Sequence, residues 1–251
     1  MAQTLLITGS SGIAAAAARM AAGRGNKIFV IGKSEDECKL LSGEISGLAY
    51  AIADVADYAA VQKAVAACFE KNGSIDMVFN VAGISGRSLG DGPLHECKPE
   101  AWQAMMNIHA AGTFHVCREV IGHWVGSKRK GAIVNTGSVL ARFPEREHFA
   151  THAYAASKGA IESMSLAAAA YYAPMGIRIN VIAPGLVRTP MSARAQTNEK
   201  IVSYMVHKQP LKGGFVEAEE VARIALFLLS EESSPMTGEV IRADAGWAVT
   251  G

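Results

Sequence analysis

The chain has 251 residues, half of them hydrophobic, and its 24 lysines and arginines against 23 acids leave a net charge of +1. So even a balance gives no electrostatic footprint for nucleic acid or an acidic membrane surface, and no apolar run reaches the ~20 residues a spanning helix requires. The length suits one α/β domain, expected over residues 1–251.

Thr4–Thr8 reads as the first strand. It follows directly on Met1-Ala2-Gln3, without the basic region of a signal peptide, so the expected location is the cytoplasm. Then come a helix at Ala14–Ala22, strands at Lys27–Ile31 and Leu48–Ile52, a helix at Tyr58–Lys71 and a strand at Met77–Val81. A long helix, Glu100–Val125, precedes a strand at Ala132–Thr136. The helix Tyr154–Tyr172, strand Ile177–Ala183, helix Glu217–Leu229 and strand Glu239–Asp244 complete the series. Most strands are continuous apolar runs, the signature of burial on both faces of a parallel sheet. Strands alternating with helices imply right-handed βαβ crossovers, hence a Rossmann-type, doubly wound sheet of about seven strands with helices on both faces.

Two stretches lack periodicity, Leu89–Lys98 and Arg188–Gly214. The second, interrupted by Pro190, Pro210 and Gly213-Gly214, is expected to be a substrate lid over about 188–214. Cys38, Cys68, Cys97 and Cys117 are scattered and read as reduced thiols. His109 and His115 do not share a helix face with Cys117, so no metal site is expected.

The turn after the first strand is Thr8-Gly9-Ser10-Ser11-Gly12-Ile13. Glycines there allow a sharp turn and a close approach to a pyrophosphate, and the helix start offers free N–H groups. An ordinary strand–helix turn would look similar in isolation; its place at the first βαβ unit favours a dinucleotide. The second strand ends Ile31-Gly32-Lys33-Ser34, with no acid to grip the adenosine ribose. Lys33 and Ser34 suit a 2′-phosphate instead, favouring NADP(H) with NAD(H) as the other possibility. Asp54, with Val55 beside it, is placed to meet the adenine; alternatively Asp54 caps the next helix.

Tyr154 and Lys158 stand four apart on a helix and share a face. An ammonium ~5 Å from a phenol, at an effective dielectric of ~20, favours phenolate by roughly 3 kcal/mol. That would bring a group with a pKa near 10 towards neutrality, where acid–base catalysis works best. Ser138, just beyond the strand Ala132–Thr136, would face the same crevice and hydrogen-bond a substrate oxygen.

Together these residues resemble the short-chain dehydrogenase/reductase family, in its shorter, single-domain branch. The resemblance spans nearly the whole chain. It rests on Thr8-Gly9…Gly12-Ile13, Asp54, Asn80-Val81-Ala82-Gly83, Asn107, Ser138, Tyr154…Lys158, Asn180 with Pro184-Gly185, and Thr237-Gly238 before Asp244-Ala245-Gly246. It implies NAD(P)-dependent interconversion of an alcohol and a ketone or aldehyde on a small-molecule substrate, with Tyr154 as general acid or base. It further implies that Lys158 binds the nicotinamide ribose, that Ser138 orients the carbonyl, and that Asn107 holds a water in a proton relay. Asn80, Ala82 and Gly83 would run beside the cofactor, and Pro184, Gly185, Val187 and Thr189 would lie near the nicotinamide. A homodimer or homotetramer through the helices Glu100–Val125 and Tyr154–Tyr172 is implied as well.

The chain departs from that pattern in places. Two residues rather than three separate Gly9 from Gly12, Ala14 replaces a usual glycine, and the Ser138–Tyr154 interval is three residues longer than usual. The extra residues fall within Arg142–Thr151. A non-catalytic NAD(P)-binding regulator, and an epimerase or dehydratase of the longer branch, are the other readings. The short glycine loop resembles that branch, whose additional C-terminal substrate domain is not seen in this sequence. An enoyl reductase would have a wider Tyr-to-Lys spacing, and position 161 is Ile. Arg142, Arg146, His148, Arg188 and Arg194 could meet an anionic substrate group, or be solvated surface residues.

Overall fold

The computed structural model describes residues 2–250; Met1 and Gly251, the ends of the expected domain, lie outside the described residues. The elements are β1 (Thr4–Thr8), α1 (Gly12–Gly23), β2 (Lys27–Gly32), α2 (Glu35–Glu44), β3 (Ala49–Ile52), α3 (Tyr58–Asn72), β4 (Met77–Asn80) and α4 (Pro99–Met105). They continue with α5 (Gly112–Gly126), β5 (Gly131–Thr136), α6 (His152–Tyr172), β6 (Ile177–Pro184), β7 (Val187–Arg188), α7 (Ala193–Gln196) and α8 (Glu199–Lys208). The last are β8 (Val216–Glu217), α9 (Ala218–Leu229) and β9 (Val240–Ala243).

Seven strands form one parallel sheet in the order β3-β2-β1-β4-β5-β6-β9. In β1 all five residues are buried, which is why it reads as a run rather than an alternation. Leu5 and Ile7 pack towards α1 and α9, while Leu6 packs on the other face with the residues of α3 and α5. The six buried alanines of α1, Ala14–Ala18 and Ala21, let that helix lie close against α9. A third, smaller core gathers Val139, Ala195, Ile201, Met205, Phe215 and Trp247. It anchors the segment 188–214, which the sequence showed without periodicity and which folds into α7 and α8.

Two further elements differ from expectation. Helix α2 was not foreseen: its acids Glu35, Asp36 and Glu37 crowd the first turn, where the helix dipole favours them, and Ser34 caps it. The expected single helix Glu100–Val125 is interrupted by a π-helical segment, Met106–Ala111, between α4 and α5. Such an insertion rotates everything after it relative to a regular helix. No helix among the described residues is long and apolar enough to cross a membrane.

Candidate active site

The strand order reverses between β1 and β4, and a cavity of about 430 Å³ opens beyond the carboxyl ends of the strands there. Thr8 Oγ1 accepts the N–H groups of Val81 (3.0 Å) and Ala82 (3.1 Å), fastening the end of β1 to the chain leaving β4. Gly9 adopts φ +97°, out of reach for most side chains, and donates its N–H to Ile31 O at 2.8 Å. Gly12 lies under Thr189, and a Cβ there would stand 3.0 Å from its methyl group. Helix α1 starts with no side-chain cap and no acid in its first turn. Its N–H groups and positive dipole end are therefore available to an anion. Gly9, Ser10, Ser11, Gly12 and Ile13 all line the cavity, as do Ala82 and Gly83. Pro184, Gly185, Val187 and Thr189 form the opposite wall. These features fit a dinucleotide pyrophosphate.

Lys33, Ser34, Asp54 and Val55 lie outside the cavity lining, near the carboxyl ends of β2 and β3. Lys33 Nζ pairs with Asp54 Oδ2 at 2.7 Å, and this bond holds the Asp54 carboxyl below its usual range. Asp54 also accepts the Ala56 N–H, but it is Asp57 that caps α3. Val55 is pinned by His115, whose Nδ1 meets Val55 O at 2.8 Å. Asn80 is buried beneath the sheet and donates to Asn135 Oδ1 at 2.9 Å, tying β4 to β5 rather than lining the cavity.

Strand β5 delivers Thr136 and Ser138 to the cavity, and α6 delivers Tyr154 and Lys158. Lys158 Nζ donates to Thr136 O at 2.8 Å and lies 5.6 Å from the centre of the Tyr154 ring. The Tyr154 hydroxyl stands close enough to Ser138 for the serine hydroxyl to influence its ionisation. Burial raises the Tyr154 phenol above its ordinary value, and the nearby Ser138 hydroxyl only partly opposes it. Burial also brings the Lys158 ammonium down to about 7. The expected lowering of Tyr154 by Lys158 is therefore not what prevails here: desolvation penalises each charge, and a phenolate forms readily only opposite a charged lysine.

The structure does not bring Asn107 to this group. Its side chain is exposed and accepts a hydrogen bond from Gln103 Nε2 at 2.7 Å. The π-helical segment turns His109 inward instead, and His109 lines the cavity fully buried. The Ile84 N–H donates to His109 Nε2 at 3.0 Å, so that nitrogen carries no proton. Nδ1–H then faces Ser157 Oγ at 2.9 Å, and the Ser157 hydroxyl donates to Tyr154 O at 2.7 Å. The imidazole packs edge-on to the Tyr154 ring, with centres 5.2 Å apart. Burial, aided by Lys158, holds His109 well below its ordinary pKa and hence neutral. Both nitrogens are occupied, so His109 positions rather than transfers. The close approach also requires Gly83, where a Cβ would stand 2.9 Å from Nε2. His109→Ala is expected to destabilise the protein by about 2–4 kcal/mol in urea unfolding, from a cavity and an unpaired amide. It should lower kcat more than cofactor affinity, with His109→Gln recovering part of the loss.

Asp91 is a second residue that sequence reasoning missed. It is buried, and its carboxylate accepts the N–H groups of Ala153 (3.0 Å) and Tyr154 (2.9 Å) at the start of α6. No local signal marks it, because the cap comes from 62 residues upstream.

A family profile described as enoyl-(acyl carrier protein) reductase matches residues 7–248. The chain is 34% identical, over 97% of its own length and 97% of the other, to a 3-oxoacyl-(acyl-carrier-protein) reductase of Thermotoga maritima. Among solved structures, an actinorhodin polyketide ketoreductase with NADPH superposes with a TM-score of 0.90 at 25% identity, covering 99% of this chain and 98% of that one. A 3-ketoacyl-(acyl-carrier-protein) reductase of Brucella melitensis complexed with NADH superposes at 0.88 and 26% identity, covering 98% of each.

Proposed function

Since this chain belongs to the short-chain dehydrogenase/reductase family, we propose that Tyr154, Ser138 and Lys158 carry the proton chemistry of its alcohol–carbonyl interconversion. The protein is an NAD(P)-dependent oxidoreductase with a Rossmann-type sheet. The observation that carries the reading is the meeting of Ser138, Tyr154 and the buried Lys158 in the cavity that α1 opens onto.

When bound, the dinucleotide supplies or takes up the hydride. In reduction, Ser138 Oγ hydrogen-bonds the substrate carbonyl and Tyr154 Oη gives it the proton; in oxidation Tyr154 takes the proton back. Lys158 holds the nicotinamide ribose and provides the cation against which a phenolate forms. The Tyr154-to-Lys158 interval and the isoleucine, rather than lysine, at 161 favour carbonyl over enoyl reduction. The regulator reading has no specific support, because the whole acid–base group is assembled.

NADP(H) is the favoured cofactor, with Lys33 and Ser34 at the 2′-phosphate. Lys33, whose side chain is 76% exposed, can exchange its Asp54 partner for a phosphate at little cost. Lys33→Asp is expected to shift the NADP/NAD ratio of kcat/KM towards NAD by tenfold or more, from about 1.5–3 kcal/mol of charge-assisted bonding; an unchanged ratio would remove Lys33 from that role. Residues 188–214 act as the lid of a single domain. The exposed Phe114, Leu166 and Tyr171 on α5 and α6 provide the surface for a homo-oligomer, and the setting is cytoplasmic. A panel of alcohols and ketones with NAD(H) and NADP(H), followed at the reduced-nicotinamide absorbance, tests the reaction. Cofactor binding with no turnover across the panel would overturn it.

A further inference from the structure

We propose that the cavity takes a substrate bearing an anionic group, a carboxylate or a chemically similar oxyanion, held between Arg87 and Arg194. The inference rests on the reading of this cavity as the substrate site of the reaction above.

Both arginines line the cavity that Tyr154 lines. Arg87 lies beyond the end of β4 and Arg194 on α7, so only the folded chain brings them together. Each donates a single hydrogen bond to the same acceptor, the carbonyl of His148 in the extended Ser138–Tyr154 interval, that of Arg194 being 3.5 Å long. A guanidinium has five N–H donors, and among the described residues that carbonyl is the only acceptor either one has. Burial lowers the Arg87 pKa, and the Arg194 charge is close enough to lower it further.

No acid pairs directly with either of them among the described residues. Neither arginine makes a salt bridge among the described residues, whereas Arg142 and Arg188, two others the sequence offered, pair with Glu162 (2.6 Å) and Glu217 (3.0 Å). The acids whose charge reaches Arg87 are Asp91 and Glu145. Asp91 is spent on the start of α6. Glu145 accepts the N–H groups of Glu147, His148 and Phe149. Two like charges thus stand side by side with most of their donors unused. An oxyanion between them relieves the repulsion and fills those donors, in the forked geometry that suits guanidinium.

The test uses 4-oxopentanoate and its methyl ester as probes. Each is titrated calorimetrically into protein saturated with NADP+, and separately with NAD+, so that no hydride can move to the ketone. The acid is expected to bind at least about tenfold more tightly than the ester, and that preference should vanish in Arg87→Gln/Arg194→Gln. Arg194 is exposed, so Arg194→Gln alone keeps the fold and should lose part of the preference even if the double variant unfolds. Equal binding of acid and ester, binding of neither, or a preference that survives the substitutions would overturn the inference. The outcome is independent of the reaction itself. Anion preference without turnover in the panel would count against the proposed chemistry alone, and turnover without preference against the anion site alone.

Discussion

Tyr154→Phe is expected to reduce kcat by a factor of about 10²–10⁴, the usual worth of a positioned acid–base group, while cofactor affinity changes by less than about tenfold. The substitution removes one hydroxyl, the one that stands near Ser138. It leaves the ring that packs edge-on to His109 and the backbone amide that Asp91 caps. The end of the cavity built on Gly9–Ile13 and the start of α1 is untouched. Single-turnover absorbance of the reduced nicotinamide reads the first quantity and fluorescence titration the second. Full turnover in this variant would remove Tyr154 from the mechanism.

Lys158→Met has two expected effects of opposite sign. Turnover should fall by about a hundredfold, from the roughly 3 kcal/mol by which a nearby cation favours phenolate, and cofactor affinity should fall with it. Stability should rise. Burial lowers the folded-state pKa of Lys158 from 10.5 to about 7. Between those values the unfolded chain binds a proton that the folded chain does not, so wild-type stability increases with pH across that interval. The cost of burying Lys158 is absent above 10.5 and fully developed below about 7. Replacing it with Met should therefore stabilise the protein by a few kcal/mol at neutral pH, less the lost bond to Thr136 O. The gain should shrink as the pH is raised towards 10. Urea unfolding of both proteins at pH 6, 8 and 10 measures this. Equal stabilities across that range would show that Lys158 is not desolvated. A stable but slow variant would place the cost of the lysine at the site of its use.

His109 and Asn107 show what the expected elements could not settle. The resemblance to the family offers Asn107 for the site, on a helix expected to run unbroken over Glu100–Val125. The π-helical segment reverses that choice, and its cause is tertiary. Gly112 packs so closely on Val55 that a Cβ would stand 2.7 Å from it. The imidazole is held from two directions, by Ile84 and Ser157. The same limit explains the adenosine end. Lys33 and Asp54 were each legible as candidates from strand-end position, but their 2.7 Å ion pair joins residues just past the ends of two different strands.

What the sequence determined by itself was local or periodic. Apolar runs specify the buried strands, glycines at the first turn permit the conformation that Gly9 takes, and a four-residue interval puts Tyr154 and Lys158 on one helix face. Only the tertiary structure decided which distant groups meet. Asp91 caps α6, His109 replaces Asn107 beside Tyr154, and Arg87 faces Arg194. The physical reason is that backbone conformation and helical phase are set within a few residues, whereas desolvation, ion pairing and capping across the fold depend on packing that brings together segments far apart in the chain.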